Sequence, residues 1–125
     1  MTRTDLVVLA VDDDIINLKL LKSMLMKSGH VKEVIEAKNG SDAIGELKGR
    51  NDIDLILLDI IMPIMGGIDM LKVVRADDNL RQLPIIVLTT DETKKAEALE
   101  YGANGFLMKP IRNDDLISKM ETVIV

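Results

Sequence analysis

The sequence predicts a doubly wound α/β protein, (βα)5, with a five-stranded parallel sheet covered by helices on both faces. Three observations carry this expectation. Five short apolar runs of strand length recur along the chain. Three of them are nearly unbroken in Val, Ile and Leu, as strands buried on both faces are. Between the runs, the apolar residues switch to helical spacing, and strands alternating with helices imply right-handed βαβ units.

The elements follow in order. LVVLAV (Leu6–Val11) reads as the first strand. Leu18, Leu21 and Leu25 then recur at i, i+3 and i+7, and Gly29 offers a stop. EVIEA (33–37) is the second strand, followed by a helix through Ala43, Ile44 and Leu47 that Ser41 can cap. DLILLD (54–59) is the third strand, and Gly66–Gly67 lead into a helix with Ile68, Leu71 and Val74. PIIVLT (84–89) is the fourth strand, and Asp91 can cap a helix through Tyr101, with Gly102 beyond its end. GFLMK (105–109) is the fifth strand, and Asn113 can cap a last helix with Asp114 and Asp115 in its first turn, where the macrodipole favours acids. For five strands the leading topology is the flavodoxin-like order 2-1-3-4-5. One domain is expected over 1–125, with no linker or repeat; Met1 reads as a natural start, while Val125 does not by itself mark an end.

Composition narrows the function. A formal net charge of −5 argues against non-specific nucleic-acid binding, which needs a basic face. The absence of cysteine excludes disulfides and thiol chemistry and is compatible with the cytoplasm. The N-terminal apolar run is too short to span a membrane and lacks a signal-peptide pattern. Aromatics at 2% leave no stacking platform for bases.

Open α/β sheets bind ligands beyond the carboxyl ends of their strands, at the switch point. There this chain places Asp12 and Asp13 after strand 1, Asp59 after strand 3, Thr89 after strand 4 and Lys109 after strand 5. Three carboxylates in one crevice need compensation, and a hard cation such as Mg²⁺ accepts such oxygen ligands. With a lysine and a hydroxyl beside it, an aspartate can act as a phosphoryl-accepting nucleophile.

VDDD at 11–14, LLDIIMPIMGG at 57–67, LTT at 88–90 and KP at 109–110 stand in the order and spacing of one family. The chain resembles the receiver domain of two-component response regulators over essentially its whole length. The resemblance implies that Asp59 is the phosphoacceptor and that Asp12 and Asp13 position Mg²⁺, Asp13 directly and Asp12 through water. Asp59 and the backbone carbonyl of Ile61 would complete the metal's protein ligands. Lys109 would reach a phosphoryl oxygen, Thr89 would be the switch hydroxyl, and Phe106 the aromatic whose rotamer follows it. A cis Lys109–Pro110 bond is implied, and Pro63 and Gly67 shape the loop after strand 3. The implied partners are a histidine kinase or phosphotransfer protein, and a downstream protein or a second copy meeting the surface of helix 4, strand 5 and helix 5. The implied protein is a cytoplasmic signalling switch that catalyses only its own phosphorylation and dephosphorylation.

Three positions depart from common family choices. Thr90 is bulkier than the usual small residue and is expected to narrow access. Phe106 has no hydroxyl to hydrogen-bond when it turns inward. Ile61 is apolar where some members carry an amide, which predicts slow self-dephosphorylation. Other residues have plainer readings: Asp14 as a helix cap, Met62 and Met65 as loop or core filler, His30 as a surface loop residue at the opposite end of the sheet, and Lys94, Lys95 and Glu97 as a solvated helix face. Asp12-x-Asp14 superficially fits a haloacid-dehalogenase-type phosphohydrolase, but Ile15 and Ile16 stand where that family has Gly and Thr. A flavodoxin-like cofactor module would need a phosphate cradle after strand 1, and this loop is acidic.

Overall fold

In the computed structural model, which describes residues 2–124, every residue of β1 (Leu6–Val11) is buried. That is the pattern of a central strand with helices on both sides. The chain continues as α1 (Ile15–Lys27), β2 (Val31–Ala37), α2 (Gly40–Gly49), β3 (Leu55–Asp59), α3 (Gly67–Ala76), β4 (Ile85–Thr89), α4 (Lys95–Glu100), β5 (Gly105–Met108) and α5 (Asn113–Val123). All strand pairs are parallel, in the order β2-β1-β3-β4-β5.

Alternation along the strands divides the core in two. Leu6, Val8 and Ala10 of β1 join Leu55 and Leu57 of β3 under α1 and α5, against Leu18, Leu21, Leu25, Leu116 and Met120. Val7, Leu9, Val11, Ile56 and Leu58 face the other way, toward α2, α3 and α4. Ile85 and Val87 of β4 lie in this second cluster, with Phe106 of β5 packed against it. No helix among the described residues is long and apolar enough to cross a membrane.

The element ends correct several expectations. β2 begins at Val31, earlier than the sequence pattern indicates, and β5 ends at Met108, so Lys109 stands just past the strand. Ser41 does not cap α2; Asn39 does, its Oδ1 accepting from Asp42 N at 2.8 Å. The earlier start follows from packing: Gly40 donates its N–H to the Met65 carbonyl at 3.0 Å, and a Cβ there would lie 2.7 Å from Met65 Cγ. Asn113 is the first residue of α5 rather than its cap, and Arg112 holds the cap position without a side-chain bond. The expected helix after Asp91 divides into a 3₁₀ turn, Glu92–Lys94, and the short α4. Asp91 caps the turn, accepting from Thr93 N at 3.0 Å.

Arg75, at the end of α3, ties several segments together. Its guanidinium donates to the carbonyls of Gly102 (3.0 Å), Arg81 and Leu83 (both 2.8 Å) and to Asn104 Oδ1 (2.8 Å). That Asn104 oxygen also accepts from Ile85 N at 2.9 Å, so one side chain links α3, the entry to β4 and the turn before β5. Burial lowers the Arg75 pKa from its usual value.

Candidate functional site

Asp12 follows Val11 directly, and strand alternation puts it on the same side as Ala10. Its Oδ1 accepts from Asp14 N at 2.9 Å, which fixes the carboxylate, and its Oδ2 faces Lys109 Nζ at 2.8 Å. Asp59 closes β3 in the alternation class of Leu55 and Leu57, so it comes to the same side. Lys109 Nζ lies 3.5 Å from Asp59 Oδ1 and therefore sits between the two buried acids. One carboxylate oxygen from each of Asp12, Asp13 and Asp59 lies within 4.8 Å of the others. Asp13 is exposed, whereas Asp12 and Asp59 are only 4% and 7% exposed.

Burial pushes the Asp59 carboxyl above the usual aspartate range. Asp12 pushes in the same direction, while Lys109 and a backbone hydrogen bond from Ile61 oppose it. The group is short of positive charge, and its oxygen donors suit Mg²⁺.

Two backbone features hold this arrangement. Gly67 begins α3 against β3: a Cβ there would lie 2.5 Å from the Asp59 carbonyl oxygen, so only glycine allows the approach. Lys109 N donates to the Thr89 carbonyl at 2.8 Å, and the Lys109–Pro110 peptide is cis.

Thr89 is buried on the opposite alternation class, with Ile85 and Val87, and its Oγ1 accepts from Asp91 N at 3.2 Å. Phe106 pairs with Val87 and is half-buried on that same side. The acids and Lys109 thus lie toward α1 and α5, whereas Thr89 and Phe106 lie toward α4. Asp14 is not part of the acidic group. It caps α1, accepting from Ile16 N at 2.9 Å, so the Asp12-x-Asp14 pairing of a phosphohydrolase has no counterpart here. Thr90 and Pro63 are exposed, and Met62 and Met65 pack against the core. His30 lies at the far end of the sheet, where its Nδ1 meets the Arg3 carbonyl at 2.8 Å.

Sequence reasoning placed Ile61 at the site but missed the rest of its apolar rim. Ile15, Ile16 and Leu20 of α1 are exposed, and so are Ile61 and Ile64 of the loop after β3. Ile64 is 85% exposed at φ +68°, a strained conformation for a β-branched residue. A cavity of about 240 Å³ opens between α1 and the loop after β5, lined by Asp12, Leu20, Met24, Leu88, Lys109 and Ile111. The signal was in the sequence: Ile15, Ile16 and Leu20 fall off the Leu18–Leu21–Leu25 stripe and cannot share its burial. A larger cleft of about 370 Å³, beside Leu47, Arg50, Asp77 and Leu80, lies at the opposite end of the sheet and shares no residue with the acidic group.

A family model described as the response regulator receiver domain matches residues 8–121. The chemotaxis protein CheY1 of Helicobacter pylori (strain J99) is 37% identical over 119 residues, covering 93% of this chain and 94% of that protein. Among solved structures, the CheX–CheY–BeF3–Mg complex of Borrelia burgdorferi is similar with a TM-score of 0.86 at 28% identity, covering 96% of this chain and 90% of that one. The receiver domain of the sensor histidine kinase PA1611 of Pseudomonas aeruginosa, with a magnesium ion in its active-site cleft, is similar with a TM-score of 0.84 at 26% identity, covering 94% and 97% of the two chains.

Proposed function

The chain belongs to the response regulator receiver domain family, and we propose that it is a phosphorylation-operated switch whose Asp59 accepts a phosphoryl group from a histidine kinase or a histidine phosphotransfer protein. The observation that carries this reading is the convergence of Asp12, Asp13 and Asp59 with Lys109 at one end of the sheet.

The ionised Asp59 attacks phosphorus. The new bond joins a carboxylate oxygen to phosphorus while the phosphorus–nitrogen bond of the donor histidine breaks. The electron pair returns to the imidazole, which takes a proton from solvent, and the product is an aspartyl phosphate. Lys109 neutralises charge on the transferred group, leaving Asp12 for a phosphoryl oxygen. Asp12, Asp13, Asp59 and the Ile61 carbonyl would hold Mg²⁺, which supplies the remaining positive charge. Asp59 is recessed, so a protein donor must cover its mouth, and the exposed Ile15, Ile16, Leu20 and Ile61 give that donor an apolar seat.

After transfer, Thr89 moves toward the phosphoryl group and Phe106 follows. The population shifts toward an altered α4–β5–α5 surface, which a downstream protein or a second copy of the chain reads. This receiver domain acts in the cytoplasm, binds neither nucleic acid nor membrane directly, and turns over no metabolite.

Incubation with acetyl phosphate and Mg²⁺ tests this reading. The expected product carries one phosphoryl group, labile in acid and base, and chelation of Mg²⁺ prevents its formation. Labelling that persists in excess chelator rejects the metal assignment. Ile61 is exposed and apolar beside Asp59, so it cannot orient an attacking water. Ile61→Asn is expected to speed loss of the phosphoryl group severalfold in a decay time course; an unchanged rate counts against the role.

A further inference from the structure

The helix α4 has only six residues, of which Ala98 alone is buried. Isolated helices need about 12–15 residues even to be marginal in water, so α4 is placed by the contacts at its ends. Its C-terminal end is held firmly. Arg75 donates to the Gly102 carbonyl at 3.0 Å, and Gly102 has φ +106°, with room for no Cβ: one built there would lie 2.9 Å from Arg75 Cγ.

The other end is held differently. Lys95, the first residue of α4, places its ammonium over the Phe106 ring, 5.9 Å from the centroid. This is within the range of cation–π attraction. Phe106 has no hydroxyl, so its ring has no hydrogen bond to fix its position. The sequence reading of Lys95 as merely solvated is therefore incomplete: it is exposed, but it is also engaged with the ring.

We propose that Lys95 is the latch of the resting state, its cation holding the Phe106 ring against the N-terminal turn of α4. The inference rests on the reading of Thr89 and Phe106 as the switch. When the ring turns toward Thr89 it leaves the cation, so Lys95 opposes conversion and sets its threshold. An exposed cation–π contact corresponds to roughly a 2–5-fold bias in a two-state equilibrium. Arg75 fixes the far end, so release of the latch turns α4 about Gly102.

The chain has a single phenylalanine, so ring-labelled phenylalanine gives an NMR signal from Phe106 alone. The probe is beryllofluoride with Mg²⁺, a phosphoryl mimic, titrated into wild type, Lys95→Gln and Lys95→Arg. In wild type, the ring signal moves on saturation. In Lys95→Gln, the unliganded signal lies part-way toward the saturated position and the midpoint falls about 2–5-fold; Lys95→Arg, which keeps the cation, behaves as wild type. If the wild-type ring responds but Lys95→Gln matches it in both signal and midpoint, the latch is overturned and the switch reading survives. If beryllofluoride binds and the wild-type ring does not respond, the switch reading falls and the latch with it.

Discussion

Asp59→Asn takes up no phosphate from acetyl phosphate, and without Mg²⁺ it melts at a higher temperature than the wild type. The first result follows from loss of the nucleophile. The second follows from electrostatics. Burial raises the Asp59 pKa and Asp12 adds to the rise, against the pull of Lys109. A carboxyl whose pKa is raised on folding contributes stability below its unfolded value, and that contribution is lost as pH rises through the folded pKa. At neutral pH the ionised Asp59 therefore destabilises the metal-free protein, and the uncharged amide removes the penalty. Lys109 keeps its bond to Asp12 in the variant. Each kcal/mol recovered raises Tm by roughly 3–6 °C in a domain of this size. The difference in Tm between variant and wild type narrows as pH falls and the buried Asp59 takes up a proton, which it does at a higher pH than an ordinary aspartate. Mg²⁺ narrows it from the other side, by stabilising the wild type. A variant that labels like the wild type removes Asp59 from the mechanism; one that melts lower refutes the electrostatic account.

Lys109→Met has the opposite effect on stability. The side chains of Asp12 and Asp59 are 6% and 10% exposed, and Lys109 is the cation that both meet. Removing one partner of a buried ion pair typically costs about 3–5 kcal/mol. Denaturant unfolding is expected to show a loss of that order, which excess Mg²⁺ partly restores because the ion returns positive charge to the acids. It does not restore transfer. Loss of a charge-stabilising donor lowers phosphorylation by roughly 10²–10³-fold, and saturating Mg²⁺ leaves that deficit in place. An unchanged unfolding midpoint contradicts the view that Lys109 holds the acids together.

The parallel sheet and its strand order were readable because unbroken runs such as Leu6–Val11 admit few other interpretations. The gathering of Asp12, Asp59 and Lys109 was readable for a geometric reason: α/β topology brings carboxyl ends of strands to one edge, wherever they lie in the sequence. Details that depend on a distant partner were not readable. Asn39 rather than Ser41 caps α2 because Gly40 docks on Met65. Arg75 resembles any basic residue at a helix end until the fold brings carbonyls from the 81–102 region around it. The division of the Asp91–Tyr101 segment was hidden for a similar reason. Its spacing suits one helix, but Asp91 and Thr93 favour a local cap, and only Ala98 finds the core.

Asp12 and Lys109 are separated by 97 residues. Local contacts form early in folding, and pairings across long sequence distances form late, because closing a long loop lowers chain entropy before contacts repay it. The charged crevice therefore cannot assemble before β5 is added at the sheet's edge. A growing chain on the ribosome, or one stalled with four strands docked, already contains Asp59 but not the lysine beside it. On the proposed reading, competence to receive a phosphoryl group is acquired only once β5 has docked, and a chain that has not completed the sheet stays silent.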